Sequence, residues 1–307
     1  MLQIPENIPV VEIHDDRLRR KNSRLHILRE DLIHPEISGN KWRKLRYNLE
    51  EAKQQGHDTM LTFGGAYSNH IAATAAAGHQ LGFKTIGIIR GEEALPLNPT
   101  LKLAAGYGMQ LNYCSREKYR EKHTVSFREE LKENYGDFYL IPEGGSNHLA
   151  VKGCVEILDN INADYDLLCC ACGTGATAAG LIAASKAEFL GFPALKNGGF
   201  LNDEITTLLD AFEQAEKLTL TPKPWKLQLD YHLGGYAKIN RQLVDFVREF
   251  HTLHQVPLDL IYTGKMLYGI FNLLQYTAEL DNRSILVIHT GGLQGNKGFE
   301  ERLGVVL

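Results

Sequence analysis

Leu167-Leu168-Cys169-Cys170-Ala171-Cys172-Gly173-Thr174-Gly175-Ala176-Thr177 is an apolar run that ends in a glycine-threonine turn and passes into alanine-rich sequence. A short apolar run bounded by a turn reads as a fully buried strand. The uncharged span from Leu167 to Ser185 is nominally long enough to cross a bilayer. The turn at its centre divides it into a strand and the opening of a helix, so a membrane span is rejected. Free amides at the first turn of that helix, with the hydroxyls of Thr174 and Thr177, make a phosphate cradle. The turn is not a P-loop, because no Gly-Lys-Ser/Thr follows, and the three-glycine spacing of a dinucleotide fingerprint fails after Gly175. A tight turn that needs glycine for packing alone accounts for the same residues equally well.

The same grammar recurs on both sides. Upstream, strands are expected at Val10–Ile13, Arg24–Arg29, Thr59–Phe63, Lys84–Arg90, Met109–Tyr113 and Asp137–Ile141. Helices are expected at Lys41–Gln55 (with Gly56 as its C′ glycine), Ile71–Leu81, Arg116–Tyr135 and Leu149–Ile161. After the turn, a helix to about Phe189, a loop over 191–200, helices at Asp203–Lys217 and Lys238–Gln255, and a last strand at Ser284–His289 follow. Alternation of this kind predicts an α/β protein: two open, twisted, mostly parallel sheets with flanking helices.

Composition narrows the function. The chain has 307 residues, 44% of them hydrophobic and 23% charged, as expected of an ordinary globular protein. A net charge of −4 without basic blocks gives no case for nucleic acid. Met1-Leu2-Gln3-Ile4-Pro5-Glu6 lacks the basic-then-apolar pattern of a signal peptide. The odd cysteine count (Cys114, Cys154, Cys169, Cys170 and Cys172) fits reduced thiols in a cytosolic protein better than a disulfide framework. C-C-x-C lacks a second ligand pair, so no metal site is expected.

Ser38-Gly39-Asn40-Lys41-Trp42-Arg43-Lys44-Leu45 sets two lysines three apart at the start of a helix, on one face. Two ammonium groups there repel unless an anionic or carbonyl-bearing group lies between them. Gly64-Gly65-Ala66-Tyr67-Ser68-Asn69-His70 ends one strand, with backbone donors suited to a substrate carboxylate and a hydroxyl, an amide and an imidazole beside them. Ser68 and Asn69 taken alone are ordinary helix caps. His289-Thr290-Gly291-Gly292 ends the last strand, and its histidine has weight only in this company. Ligands sit at the carboxyl ends of parallel strands. A phosphate cradle, a carboxylate cradle and a lysine between them are the parts that a lysine-linked pyridoxal phosphate uses.

Gly39-Asn40-Lys41-x-Arg43-Lys44-Leu45, Gly64-Gly65-x-x-Ser68-Asn69, Ile141-Pro142-x-Gly144-Gly145-Ser146 and Gly173-Thr174-Gly175-x-Thr177 resemble the 1-aminocyclopropane-1-carboxylate deaminase and D-cysteine desulfhydrase family. That family shares the fold of the tryptophan synthase β subunit. The match runs over about residues 38–180, with a weaker tail through Tyr262-x-Gly264-Lys265 and the closing strand. The resemblance implies that Lys41 carries pyridoxal 5′-phosphate and that Lys44 and Gly173, Thr174, Gly175, Ala176 and Thr177 bind its phosphate. It makes Asn69 a partner of the ring 3′-oxygen. Ser68 becomes the serine beside the substrate carboxylate and a candidate nucleophile or proton carrier, with Asn69 and His70 at the substrate. Tyr262 matches a tyrosine facing the substrate, and His289 joins the catalytic candidates. Where a cyclopropane deaminase has Tyr-Glu, this chain has His289-Thr290, and Thr290 beside the ring nitrogen leans toward the desulfhydrases.

The resemblance further implies a homodimer acting on a small amino acid. Residues 1 to about 45 and 156–307 would form a larger cofactor lobe, and 46–155 a smaller one, with the site between. The expected reaction releases ammonia and a 2-oxo acid. β-elimination from D-cysteine is favoured over cyclopropane opening. A non-catalytic module binding the cofactor or a phosphometabolite is the reading from another class, and a nucleotide-dependent oxidoreductase is weaker because the glycine spacing fails.

Overall fold

The computed structural model describes residues 7–159 and 161–307, so Met1–Glu6, read above for a leader, lies outside the described residues. The chain opens with β1 (Val10–Ile13), α1 (Asp16–Arg20) and β2 (Arg24–Leu28), then α2 (Asn40–Gln54). Next come β3 (Thr59–Gly65), α3 (Asn69–Leu81), β4 (Lys84–Arg90), α4 (Pro99–Gly106), β5 (Gln110–Cys114), α5 (Val125–Tyr135) and β6 (Tyr139–Ile141). The second half runs α6 (His148–Val155), β7 (Leu167–Cys172), α7 (Ala176–Ala184), β8 (Glu188–Pro193), α8 (Leu201–Glu216) and β9 (Trp225–Leu227). It closes with α9 (Arg241–His254), α10 (Thr263–Tyr276), β10 (Ser284–Ile288) and α11 (Asn296–Leu303).

Two sheets result, with strand orders β1-β2-β10-β7-β8-β9 and β5-β4-β3-β6. Every pairing is parallel except β1 with β2. Helices cover both faces, which is why β7 is apolar throughout instead of alternating. Its odd residues Leu167, Cys169 and Ala171 enter one core with Phe250, Leu267 and Phe271. Its even residues Leu168, Cys170 and Cys172 enter another with Ala150, Leu181 and Ile205. All five cysteines are buried and unpaired, and no helix among the described residues is long and apolar enough to cross a membrane.

Some boundaries differ from the sequence expectation. The helix expected to reach Phe189 stops at Ala184, and Glu188–Pro193 is a strand seated between β7 and β9. Ser185 makes the stop, its hydroxyl bonding both the N–H and the C=O of Ala187 at 3.0 Å. The charged stretch from Arg116 is helical in the α sense only from Val125, where Thr124 caps α5 by accepting from Phe127 N–H. Helices α4 and α10 fall where no element was assigned. The larger sheet draws its strands from residues 10–28 and 167–288 and the smaller from residues 59–141, and two helices cross between them. Trp42, Leu45 and Leu49 of α2 pack with Met60 and Ile141 of the smaller sheet, whereas Ala150, Val151 and Cys154 of α6 belong to the larger core.

These two crossing helices touch closely. A Cβ at Gly153 of α6 would lie 2.0 Å from the Arg43 carbonyl oxygen of α2, so only glycine permits the approach. Beneath α2, the Arg43 guanidinium holds Glu30 through two hydrogen bonds of 2.8 and 3.0 Å, both side chains being buried. Burial raises the Glu30 carboxyl above the usual carboxylate range, and the guanidinium opposes that. Removing one partner strands a buried charge. Arg43→Met should therefore lower unfolding stability by about 3–5 kcal/mol, and Glu30→Leu combined with Arg43→Met by much less. Urea denaturation of the two variants checks this; equal losses would show that packing, not the charge, sets the cost.

Candidate active site

Gly39 has φ of +62°, and a Cβ there would stand 2.0 Å from the Thr290 carbonyl oxygen. The Asn40 N–H donates to that same oxygen at 3.3 Å, which locks the start of α2 onto the end of β10. Lys41 then opens into a cavity of about 460 Å³ at the carboxyl ends of the strands, between the two sheets. Lys41 Nζ bonds Asn40 Oδ1 at 2.7 Å, and Asn40 Nδ2 donates to Thr177 Oγ1 at 2.9 Å. One turn along, Lys44 Nζ donates to the Gly144 carbonyl at 2.8 Å and to Thr174 Oγ1 at 3.2 Å, while Ser146 Oγ donates to the same threonine at 2.5 Å. Burial and then the charge of Lys44 bring Lys41 down to about 7, and burial brings Lys44 down to about 8.

The glycine-threonine turn delivers α7 into the cavity without a side-chain cap. The amides of its first turn have no intrahelical partner, so Gly173, Thr174, Gly175, Ala176 and Thr177 present donors. The starts of α6 and α3 are capped by side chains: Asn147 accepts from Ala150 N–H at 2.9 Å, and Ser68 Oγ accepts from Ile71 N–H at 3.3 Å. Ser68 and Asn69 also line the cavity, and the buried Oδ1 of Asn69 has no partner among the described residues.

His70 is held in one tautomer. Thr62 Oγ1 donates to the Ile141 carbonyl at 2.9 Å, so it accepts from His70 Nε2–H at 2.8 Å. Nδ1 is then a bare, buried acceptor without a partner among the described residues. Burial first, then Lys44 and Lys41, hold the imidazole well below its ordinary protonation range, so it stays neutral.

Tyr262 enters from the start of α10. Asp259 positions it, its carboxylate accepting the N–H groups of Ile261, Tyr262 and Thr263 at 2.8 Å each and the Thr263 hydroxyl at 2.7 Å. Burial, with Tyr236 next in weight, raises the Tyr262 phenol far above its usual value, so it is a neutral donor. Lys265, in the same motif, is structural: it donates to the carbonyls of His232 and Gly235 at 2.8 and 2.7 Å. Thr290 lines the cavity, but His289 does not. The ring of His289 is 1% exposed; its Nε2 donates to the Pro257 carbonyl at 2.7 Å, and its Nδ1 accepts from Gly291 N–H at 3.2 Å. His289, expected among the catalytic residues, is turned away from the cavity, its Nδ1 also lying 3.4 Å from the buried Asp31 carboxylate.

The remaining sequence candidates converge. Lys41, Lys44, Ser68, Asn69, His70, Gly173, Thr174, Gly175, Thr177, Tyr262 and Thr290 line the one cavity, and Ala176 opens the helix beside it. Missed were the role of Asn40, which lay inside a quoted motif, and Tyr236, Arg90 and Glu143, which no local pattern marks. Chemically, the arrangement can hold an anion on the α7 turn and a carboxylate on the α3 turn, with an amine of near-neutral proton affinity between them.

Comparison with known proteins agrees with that chemistry. A family model described as "Pyridoxal-phosphate dependent enzyme" matches residues 2–291. A Pyrococcus horikoshii protein named "Putative 1-aminocyclopropane-1-carboxylate deaminase" is 32% identical, covering 91% of this chain and 87% of its own. An Arabidopsis thaliana bifunctional D-cysteine desulfhydrase/1-aminocyclopropane-1-carboxylate deaminase is 31% identical, over 88% of this chain and 73% of its own. A Yersinia pestis D-cysteine desulfhydrase is 26% identical, over 87% and 86%. The crystal structure of an ACC deaminase homologue superposes with a TM-score of 0.86 at 28% identity, covering 99% of this chain and 95% of that one.

The Lys41 amine makes a pH prediction in the protein freed of small molecules. Burial lowers it from 10.5 to about 7, so between those values the unfolded chain binds more protons than the native one. Stability must then rise with pH across that window. Relative to Lys41→Met, the unmodified protein should gain stability from pH 7 toward 10, by at most about 1.4 kcal/mol per unit. A pH-independent difference between the two in urea titrations would mean that Lys41 titrates as in water.

Proposed function

The chain belongs to the pyridoxal-phosphate-dependent enzyme family, within its 1-aminocyclopropane-1-carboxylate deaminase and D-cysteine desulfhydrase group, and on that premise we propose a specific reaction for it. It releases ammonia and a 2-oxo acid from a small amino acid, by β-elimination of the D-cysteine type in preference to opening a cyclopropane. The observation that carries this reading is a lysine amine of near-neutral proton affinity placed between an uncapped helix turn and a second strand-end turn.

The residues present fit the cofactor. The α7 turn and Lys44 suit its phosphate, and Thr177, whose oxygen accepts from Asn40, keeps its own hydrogen free for a phosphate oxygen. Asn69, with its orphaned buried amide oxygen, suits the ring hydroxyl; Lys41 is the amine that would carry the group, and Thr290 would stand beside the ring nitrogen. Bound there, the cofactor supplies an electron sink for negative charge developing at Cα.

The protein groups do the rest. Substrate carboxylate rests on the α3 turn, where Ser68 Oγ already accepts from Ile71 N–H and so turns its own hydrogen toward the ligand. His70 Nδ1 can only accept, which suits a substrate N–H. Tyr262 donates as a phenol from the facing wall. Lys41 Nζ, balanced near neutrality, takes the Cα proton and returns it. At the end of β10 the side chain is a hydroxyl, and the acid in that corner, Asp259, is occupied by four donors. A hydroxyl does not keep a ring nitrogen protonated as a carboxylate does, so the sink is shallower. A good β leaving group tolerates this, because elimination drains the charge quickly. Cyclopropane opening is the competing reading, favoured by the higher identity to the Pyrococcus horikoshii protein than to the Yersinia pestis one.

Loaded protein supplied with D-cysteine should release sulfide, ammonia and pyruvate faster than it makes 2-oxobutyrate from the cyclopropane amino acid; the reverse order overturns the assignment. Thr290→Glu should move the ratio toward the cyclopropane substrate, and Lys41→Ala should abolish both reactions together with the visible band of the bound cofactor. Thr177→Ala should weaken cofactor binding roughly ten- to a hundred-fold, the worth of a charge-assisted hydrogen bond at about 1.5–3 kcal/mol. Equilibrium dialysis of the cofactor reads that out, and unchanged affinity would leave the turn a purely structural one.

A further inference from the structure

Four cations line the cavity: Lys41, Lys44, Arg90 and Lys122. Three have tasks or partners. Lys41 is the reactive amine, Lys44 is engaged at the phosphate turn, and Lys122 Nζ lies 3.3 Å from the Glu143 carboxylate. Arg90 has neither. It ends β4 in register with Gly65 of β3, one strand out from the turn that carries Ser68 and Asn69. Its guanidinium stands over the Tyr119 ring at 5.6 Å from the centroid, and one of its nitrogens is 3.5 Å from where a Gly65 Cβ would be. Among the described residues no carboxylate comes within ion-pairing distance of it, and no acceptor takes its hydrogen bonds. The acids that line the cavity do not answer it: Glu143 pairs with Lys122, and Glu204 is exposed on the first turn of α8.

An unanswered guanidinium presents a planar fork of donors that matches a carboxylate. With the substrate carboxylate on the α3 turn and Cα at Lys41, the neighbouring strand end is a place where a substrate side chain can arrive. Phe200, Leu195 and Tyr236 supply apolar wall around the same opening. We propose that Arg90 is a specificity-determining subsite for an anionic group on the substrate side chain, so that the preferred amino acid carries a carboxylate-ended β substituent in addition to its α-carboxylate. The inference rests on the amino-acid reading of the cleft and adds the class of side chain that it takes.

A matched pair isolates the charge: S-carboxymethylcysteine and S-carbamoylmethylcysteine have the same shape and differ by one negative charge. Their dissociation constants, in both enantiomers, follow from the shift in visible absorbance when each is added to the cofactor-loaded protein, without any need for turnover. The acid should bind about ten-fold tighter than the amide, the order expected of one charge-assisted contact at an exposed cation. That margin should shrink as salt is raised, since Arg90 is open to solvent. Arg90→Gln should remove most of the margin by weakening the acid, and Arg90→Lys should restore part of it. Equal affinities in the unmodified protein, or a salt-independent margin, would overturn the proposal. So would an equal loss for both compounds in Arg90→Gln, which would place the arginine on the α-carboxylate. If neither compound shifts the absorbance, the amino-acid reading of the cleft fails and takes this inference with it; equal dissociation constants sink this inference alone.

Discussion

One backbone contact sets the geometry of the cleft: Gly39 lies so close to the Thr290 carbonyl that no side chain fits between them, and the next amide is bonded to that oxygen. It joins the entry of α2 to the exit of β10, although the two are separated by most of the chain. Because α2 packs into the core of the smaller sheet while β10 is central in the larger, the same contact ties the two sheets together at the cleft. Lys41 follows directly from the locked turn, so its position is set by backbone, which moves less than a side chain. The Arg43–Glu30 pair and the close passage of Gly153 hold the remainder of α2 from below.

The electrostatics follow from that placement. Two amines one helical turn apart, both drawn out of bulk water, each favour the uncharged form, and the mutual repulsion adds to it for Lys41. An anion at the α7 turn relieves Lys44, and the Asn40 amide connects Lys41 to the same turn through Thr177. The fold thus holds two buried amines at a cost in stability, which an anion bound beside them would offset. Around it the other polar groups are fixed in single roles: His70 as an acceptor by Thr62, Tyr262 as a donor by Asp259 and its burial.

The end of β10 divides its two residues between different jobs. Thr290 turns to the cavity, while His289 turns away and staples the strand end to Pro257 and Gly291. Adjacent strand residues point to opposite faces, so only one of the two can meet a ligand in the cleft. The chemistry at that wall is thereby set by a hydroxyl. Relatives named for either of two reactions, and one named for both, are similar along nearly the whole chain. Overall similarity therefore does not choose between the reactions.

Local pattern by itself determined the α/β class, most strand positions and the three strand-to-helix turns, because each depends on neighbours within a few residues: an apolar run, a glycine, a cap. It also placed the two lysines on one face, since helical spacing is a local property. Strand β8 was not legible: Glu188-Phe189-Leu190-Gly191-Phe192-Pro193 has no period of its own, and only pairing with β7 and β9 makes it a strand. The lobe to which α2 and α6 belong was decided by which sheet offered each a matching apolar face. The seating of His289 against Pro257 and that of Arg90 over the Tyr119 ring were decided by tertiary structure too. A residue type announces what chemistry it can do; whether its atoms are already satisfied depends on groups that only the folded chain brings within reach.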